Sequence, residues 1–291
     1  MLAEHPGIPP LLGVTLALTA SLSWGCADFL GGLTARRMAA LAVVFLSQAI
    51  ALGVFTAVMA ASAKPVPGGD FWLLSVASGA CEAIALAAFY RGLSLGSMGV
   101  VAPIASAAAV VPVVVGFSTG EVPGVLASVG MLAVIVGVVL VSRQKTEGEG
   151  RARLAQGVGL AALAALGFGT FYVLIGESTE RSDPLWAVFA NRVTLVSLLA
   201  ATMLMVRPKL PGLGPDLRVL AAIGCLDVGG SLLYATATQH GLTSVIGVLG
   251  SLYPVVTVVL ARVYLSERLG MPQRAGAGLV IVGICMLGRG A

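Results

Sequence analysis

One run of residues occurs twice in this chain at a fixed spacing. With Glu121 set against Glu267 and no gaps, Gly124 falls on Gly270 and Gly130 on Gly276. Val134-Ile135-Val136-Gly137 falls on Val280-Ile281-Val282-Gly283, and Arg143 on Arg289. That is eight identities over 23 positions at an offset of 146. Upstream, Gly92-Leu93 matches Gly241-Leu242 after a three-residue shift, with Arg91 opposite His240. Gly13…Trp24-Gly25 corresponds to Gly157…Phe168-Gly169. Any fold must accommodate two similar halves.

Hydrophobic residues make up 58% of the 291 residues, charged ones only 10%, and the mean hydropathy is +1.00. A soluble domain carries roughly 25% charged residues. A water-facing surface cannot be assembled from this composition, so the surrounding solvent is lipid. Lipid offers no partner to backbone amides and carbonyls, which leaves helices for these spans. A spanning helix needs about 20 mostly apolar residues. Ten stretches qualify: 10–33, 39–61, 71–92, 97–118, 123–142, 155–176, 185–206, 217–239, 243–264 and 271–288. The expected fold class is all-α and integral to the membrane, with ten transmembrane helices as two inverted five-helix repeats. The repeats cover 1–142 and 155–291, joined by a polar linker at 143–154. Five is odd, so the two repeats enter the bilayer from opposite sides. Secondary transporters use this architecture, rocking one half against the other around a midplane site.

The polar breaks between spans also set an orientation. The odd-numbered loops and their edges hold Arg36, Arg37, Arg91, Arg143, Lys145, Arg151, Arg153, Arg207, Lys209, Arg218, Arg262, Arg268 and Arg274. The opposite face holds Lys64, Arg181 and Arg289. Thirteen against three puts the odd loops in the cytoplasm by the positive-inside rule, and both termini outside. The first apolar stretch is preceded by Glu4, with no Lys or Arg before Arg36. It lacks the basic start of a secretory signal and reads as a retained span.

Small residues let membrane helices approach backbone to backbone. The 38 glycines suit this, and Gly79/Ala83, Ala133/Gly137, Ala165/Gly169 and Gly247/Ser251 have the i, i+4 spacing. Prolines fall within the fourth stretch (Pro103, Pro112) and the ninth (Pro254). A proline removes one backbone bond and kinks a helix. Kinks in corresponding helices of the two halves point to a substrate path, or else shape static packing.

An ionisable residue inside a span costs roughly 2.5–3.5 kcal/mol on insertion scales, so each one needs a reason. Glu82 lies near the middle of the third stretch and Asp227 near the middle of its counterpart, the eighth. Asp28 lies in the last third of the first, Arg192 in the first half of the seventh. Gln48 and Asn191 are the neutral polar residues at depth. On consecutive antiparallel helices, Arg192 and Asp227 sit about 21 and about 15 Å from their shared face, a difference an arginine side chain can cover. They are expected to pair. The pair either fixes helix packing or leaves Arg192 to receive a substrate carboxylate or phosphate in its two-donor fork. Glu82 has no cation at its depth on its own helix. It is a candidate for taking up and releasing a proton as water reaches it, or for a static hydrogen bond to a carbonyl. Asp28, nearer an interface, is either hydrated there or a further candidate for the substrate or proton path.

Tyr90, Tyr172, Tyr234 and Tyr253, with Trp24, either line a cavity or anchor the membrane interfaces. Glu121 and Glu267 precede the fifth and tenth stretches, where exposed amides and the helix dipole would favour a carboxylate. The four cysteines lie in apolar stretches without Cys-x-x-Cys spacing, and the histidines lack ligand-spaced partners. No disulfide framework, metal site or other cofactor is indicated. There is no phosphate-cradling loop and no nucleophile motif. The net charge of +4 is spread over short loops, so it indicates topology and not nucleic-acid binding.

Each half opens with Trp/Phe-Gly in its first helix and carries proline in its fourth. Next comes Gly120-Glu121 or Ser266-Glu267-Arg268-Leu269, then a helix with glycines seven apart, Gly130/Gly137 and Gly276/Gly283. This resembles the EamA family of the drug/metabolite transporter superfamily over nearly the whole chain. The second half, with Tyr253-Pro254, matches better. In the first, Gly120-Glu121-Val122-Pro123 lacks the basic residue after Glu. The resemblance implies ten helices and a central cavity lined mainly by helices 1, 3, 4, 6, 8 and 9. It also implies proton- or gradient-driven movement of small metabolites, with both termini commonly drawn in the cytoplasm. The expectation is a multi-pass secondary transporter of the cytoplasmic membrane, its partners a small polar or amphipathic metabolite, protons and lipid. The alternatives are a membrane enzyme acting on lipid-linked substrates, which needs clustered polar residues at an interface, and a passive channel.

Overall fold

The computed structural model describes residues 10–95, 101, 104–142, 151–208, 216–265 and 271–290, and every element among them is helical. Before the linker run α1 (Pro10–Thr34), α2 (Ala40–Ser62), α3 (Phe71–Leu95), α4 (Val110–Ser118) and α5 (Val125–Ser142). A 3-10 segment, Ser106–Ala109, leads into α4. After it run α6 (Arg151–Arg181), α7 (Pro184–Val206), α8 (Leu217–Ala237), α9 (Thr243–Gly250), α10 (Tyr253–Leu265) and α11 (Met271–Gly290). Helix α6 begins within the expected linker, and residues 143–150 lie outside the described ones.

Among the described residues six helices are long and apolar enough to cross a membrane: α1, α2, α3, α6, α7 and α8. The remaining apolar helical runs are shorter: Ser106–Ser118, Val125–Leu140, Thr243–Thr257 and Gly278–Leu287. Large apolar side chains stand on the outside, among them Leu73, Leu204, Val263 and Ile281, each more than 60% exposed. Such a surface is stable against lipid and not against water.

The expected kinks take another form. The ninth stretch is broken outright at Ser251-Leu252, and Pro254 is the second residue of the new helix α10. There its missing N–H would have had no intrahelical partner, so the proline starts a helix instead of bending one. Pro112 likewise sits in the first turn of α4, after the 3-10 segment. Pro103 lies outside the described residues. The broken end of α9 is closed from another helix: the Ser21 hydroxyl of α1 is 2.5 Å from the Leu249 carbonyl and 2.7 Å from that of Gly250. Backbone groups freed at depth are thus satisfied within the protein.

Packing runs mainly between the two halves of the chain. Helix α1 packs on α8 and α3 on α6; α2 packs on α8 and α3 on α7; α5 packs on α11. Glycines permit the close crossings, and the contacts come in reciprocal sets. A Cβ on Gly137 would lie 2.7 Å from Val280 Cγ2 and 2.9 Å from the Gly276 carbonyl oxygen. One on Gly283 would lie 2.7 Å from Val134 Cγ2 and 2.8 Å from the Gly130 carbonyl oxygen. Gly79 meets the Asn191 carbonyl of α7, and Gly224 meets the Ser47 carbonyl of α2. Gly25 meets Tyr253 and Val256, while Gly169 meets Ala108 and Val111. Each set maps onto the other by a shift of 144 to 146 residues.

Candidate functional site

Arg192 is the centre of the buried polar residues. It sits in the third turn of α7, with no solvent exposure. Its Nη1 donates to Asp227 Oδ2 on α8 and to Gln48 Oε1 on α2, both at 2.6 Å. Its Nη2 donates to Glu82 Oε1 on α3 at 2.8 Å and to the Ser231 hydroxyl on α8. Gln48 Nε2 donates to Asp227 Oδ2 at 3.0 Å, closing a ring of side chains from four helices. Two helices come from before the linker and two from after it. A guanidinium stripped of water needs this many acceptors, because an unpaired charge in a low-dielectric interior is far costlier than a paired one.

Two expectations are corrected here. Glu82 does have a cation, since Arg192 binds it and Asp227 together. Counting along each helix could not show this, because α3 meets α7 only through tertiary packing. Asp28 is buried in the interior instead of standing at an interface, with 7% exposure. The pairing of Arg192 with Asp227 is as the helix depths anticipated.

Beside this cluster lies a cavity of about 20 Å³, room for one water-sized occupant. Its walls include Trp24, Asp28, Glu82, Phe168, Phe171, Tyr172, Asp227 and Tyr253, with Leu86. The rings form a connected set. Trp24 lies 5.6 Å from both Tyr172 and Tyr234, and those two tyrosines are 4.8 Å apart. Phe168 and Tyr253 meet edge to face at 6.1 Å. Trp24 is held by its indole N–H, which donates to the Asp227 carbonyl at 3.2 Å, and its ring lies against Gly230, where a Cβ would not fit. Buried polar atoms around the site without a partner among the described residues include Glu82 Oε2, Tyr253 Oη, Tyr234 Oη and Arg192 Nε.

The sequence candidates Glu82, Asp227, Asp28, Trp24 and Tyr253 converge on the cavity wall. Arg192 and Gln48 stand behind it, and Tyr234 stacks on Trp24 from outside the lining. Tyr90 is buried but does not line the cavity; it packs against Gly31 of α1. Ser231, Phe168 and Phe171 were not among the candidates. Ser231 lies one helical turn after Asp227, and Phe168 is the repeat counterpart of Trp24, so both carried a usable signal. A wider apolar groove, about 620 Å³, runs outside α3, α6 and α7 and offers only Arg91 and Thr202 as polar lining.

Glu121 caps a helix, though not its own. Its carboxylate accepts from the Thr243 and Ser244 amides, at 2.7 and 3.0 Å, at the start of α9. Its chain position before α5 suggested a local cap; instead the tight turn after α4 directs it across the two halves. Glu267 lies outside the described residues.

Comparison with known proteins follows this geometry. The model of the EamA-like transporter family matches residues 155–289. An uncharacterized protein of Methanocaldococcus jannaschii is 31% identical over 134 residues, which is 45% of this chain and 93% of that protein. One solved crystal structure is similar with a TM-score of 0.75 at 17% identity, covering 94% of this chain and 95% of its own. At that identity the likeness is one of fold.

Proposed function

The chain belongs to the EamA-like transporter family, and from that premise we propose that it moves a small polar or amphipathic metabolite across the cytoplasmic membrane by proton-coupled alternating access. The observation that carries the reading is the buried ring around Arg192. It joins α2 and α3 to α7 and α8, next to an aromatic-walled cavity. A group that must be bound, enclosed and released needs such a seam, with polar partners that can exchange as two bodies move.

The bodies are two inverted five-helix repeats, 1–142 and 155–291. The reciprocal glycine contacts support this, because a pseudo-two-fold axis turns each set into the other. Ten spans follow if the broken stretches and the helices α5 and α11 also cross. With 18 and 20 residues, these two reach about 27 and about 30 Å, close to the hydrocarbon thickness. The lysine and arginine bias places both termini outside.

Glu82 is the proton carrier in this reading. One carboxylate oxygen is held by Arg192, while the other has no hydrogen-bond partner among the described residues, and the residue lines the cavity. Protonation weakens its hold on Arg192, and the guanidinium retains Asp227, so loading a proton changes the bonding between α3 and α7. In proteoliposomes, Glu82→Gln is expected to exchange substrate across the membrane but fail to accumulate it against a gradient. Uphill transport at the unsubstituted rate with unchanged pH dependence would make Glu82 structural, and Asp28 the next carrier to test.

A further inference from the structure

Resting on the transport reading, we propose that the cavity takes a small organic cation, an ammonium group with N–H donors on an apolar or aromatic body. The walls specify the charge. Asp28, Glu82 and Asp227 face the cavity, and among the described residues Arg192 is the cation that meets Glu82 and Asp227. With the three acids ionised, three carboxylates against one guanidinium leave the site short of positive charge. The terminal nitrogens of Arg192 are already bound to Asp227, Gln48, Glu82 and Ser231, which leaves only its Nε without a partner among the described residues. Arg192 also stands behind the wall and not in it. An anion would therefore meet acids first, with the guanidinium behind them and its two terminal nitrogens occupied.

The walls also specify donors. Glu82 Oε2 is buried with no hydrogen bond, and Asp28 has no ion-pair partner among the described residues. An ionised carboxylate oxygen can only accept, so what completes it in that state must donate. The Tyr253 hydroxyl, also without a partner, can accept from the same ligand. The rest of the wall is aromatic: Trp24, Phe171 and Tyr172 offer ring faces and edges around the same space. Ring faces attract cations, most strongly when water is excluded. The present volume holds the headgroup's place and no more, so the body of the ligand enters as the two halves part.

The test is a charge series on one skeleton. Benzylammonium, benzoate and benzamide are titrated calorimetrically into the full chain in lipid nanodiscs. Benzylammonium should bind saturably and the other two should not. Asp28→Asn should weaken benzylammonium on the order of tenfold or more. This variant leaves every bond of Arg192 in place, so it should keep the unsubstituted thermal unfolding temperature. Glu82→Gln is the second variant and should weaken binding in the same direction. Benzoate or benzamide binding as tightly, no binding by any of the three, or benzylammonium affinity unmoved by both substitutions would overturn the proposal. Flux separates this from the wider reading. Cation binding with no solute flux in proteoliposomes would remove transport and leave the site. Flux of an anion without cation binding would do the reverse.

Discussion

Arg192 shares its charge between two carboxylates, so removing different members of the ring has unequal consequences. Arg192→Gln leaves Glu82 and Asp227 buried near each other with no cation. The expected cost is about 3–5 kcal/mol, seen as a large drop in thermal unfolding temperature in detergent. Asp227→Asn leaves Arg192 with Glu82, Gln48 and Ser231, so the loss should be smaller. Asp227→Asn with Arg192→Gln should recover part of the deficit of Arg192→Gln alone, because it removes one of the two carboxylates left without a cation and leaves Glu82 as the other. Additive losses would show that the two residues act independently. Depth arithmetic alone finds the Arg192–Asp227 bond, since consecutive helices share a face. Glu82 was missed as a partner because its helix, α3, is far from α7 in sequence, and only packing brings them together. Asp28 was misplaced for a related reason: distance along a helix says how deep a residue lies, not which way it faces.

The helices themselves show which glycines are structural. On α11, Gly283 lies against Val134 and the Gly130 backbone, whereas a Cβ on Gly278 would meet nothing within 4 Å. Gly283→Val should therefore lower stability by about 1–3 kcal/mol by forcing α5 and α11 apart. Gly278→Val should be close to neutral in the same unfolding measurement. Equal effects would mean that the substitutions act through helix propensity and not through contact. Glu121 poses a second test at this scale. Glu121→Ala strips both amide contacts from the start of α9 and should cost about 1 kcal/mol, with Glu121→Gln intermediate because it keeps an acceptor but loses the charge. Most helix boundaries were legible, since apolar runs end at charges and prolines. The break at Ser251-Leu252 was not. A proline announces a disturbance, but whether the helix bends or restarts depends on whether a neighbour such as Ser21 can take the freed carbonyls.

For the molecule as a whole, the charge bias makes a prediction that the packing does not. A reporter active only outside the cytoplasm, fused after Ala291, should give a signal; a clear cytoplasmic signal would reverse the proposed orientation. The outer face on this assignment carries the ion pairs Lys64–Asp183 and Arg181–Asp70, which tie the α2–α3 connection to the α6–α7 turn. The crossed packing has its own consequence for how the chain can be assembled. Helix α1 finds its main partner in α8, and α3 finds its own in α6, so neither half encloses a core of its own. Severed between residues 142 and 151, the two pieces should each be degraded or aggregate when made alone. Made together, they should rescue one another into a stable, functional pair, as an obligate heterodimer would. The linker would then be a tether that fixes stoichiometry and insertion order, dispensable once both pieces share a bilayer.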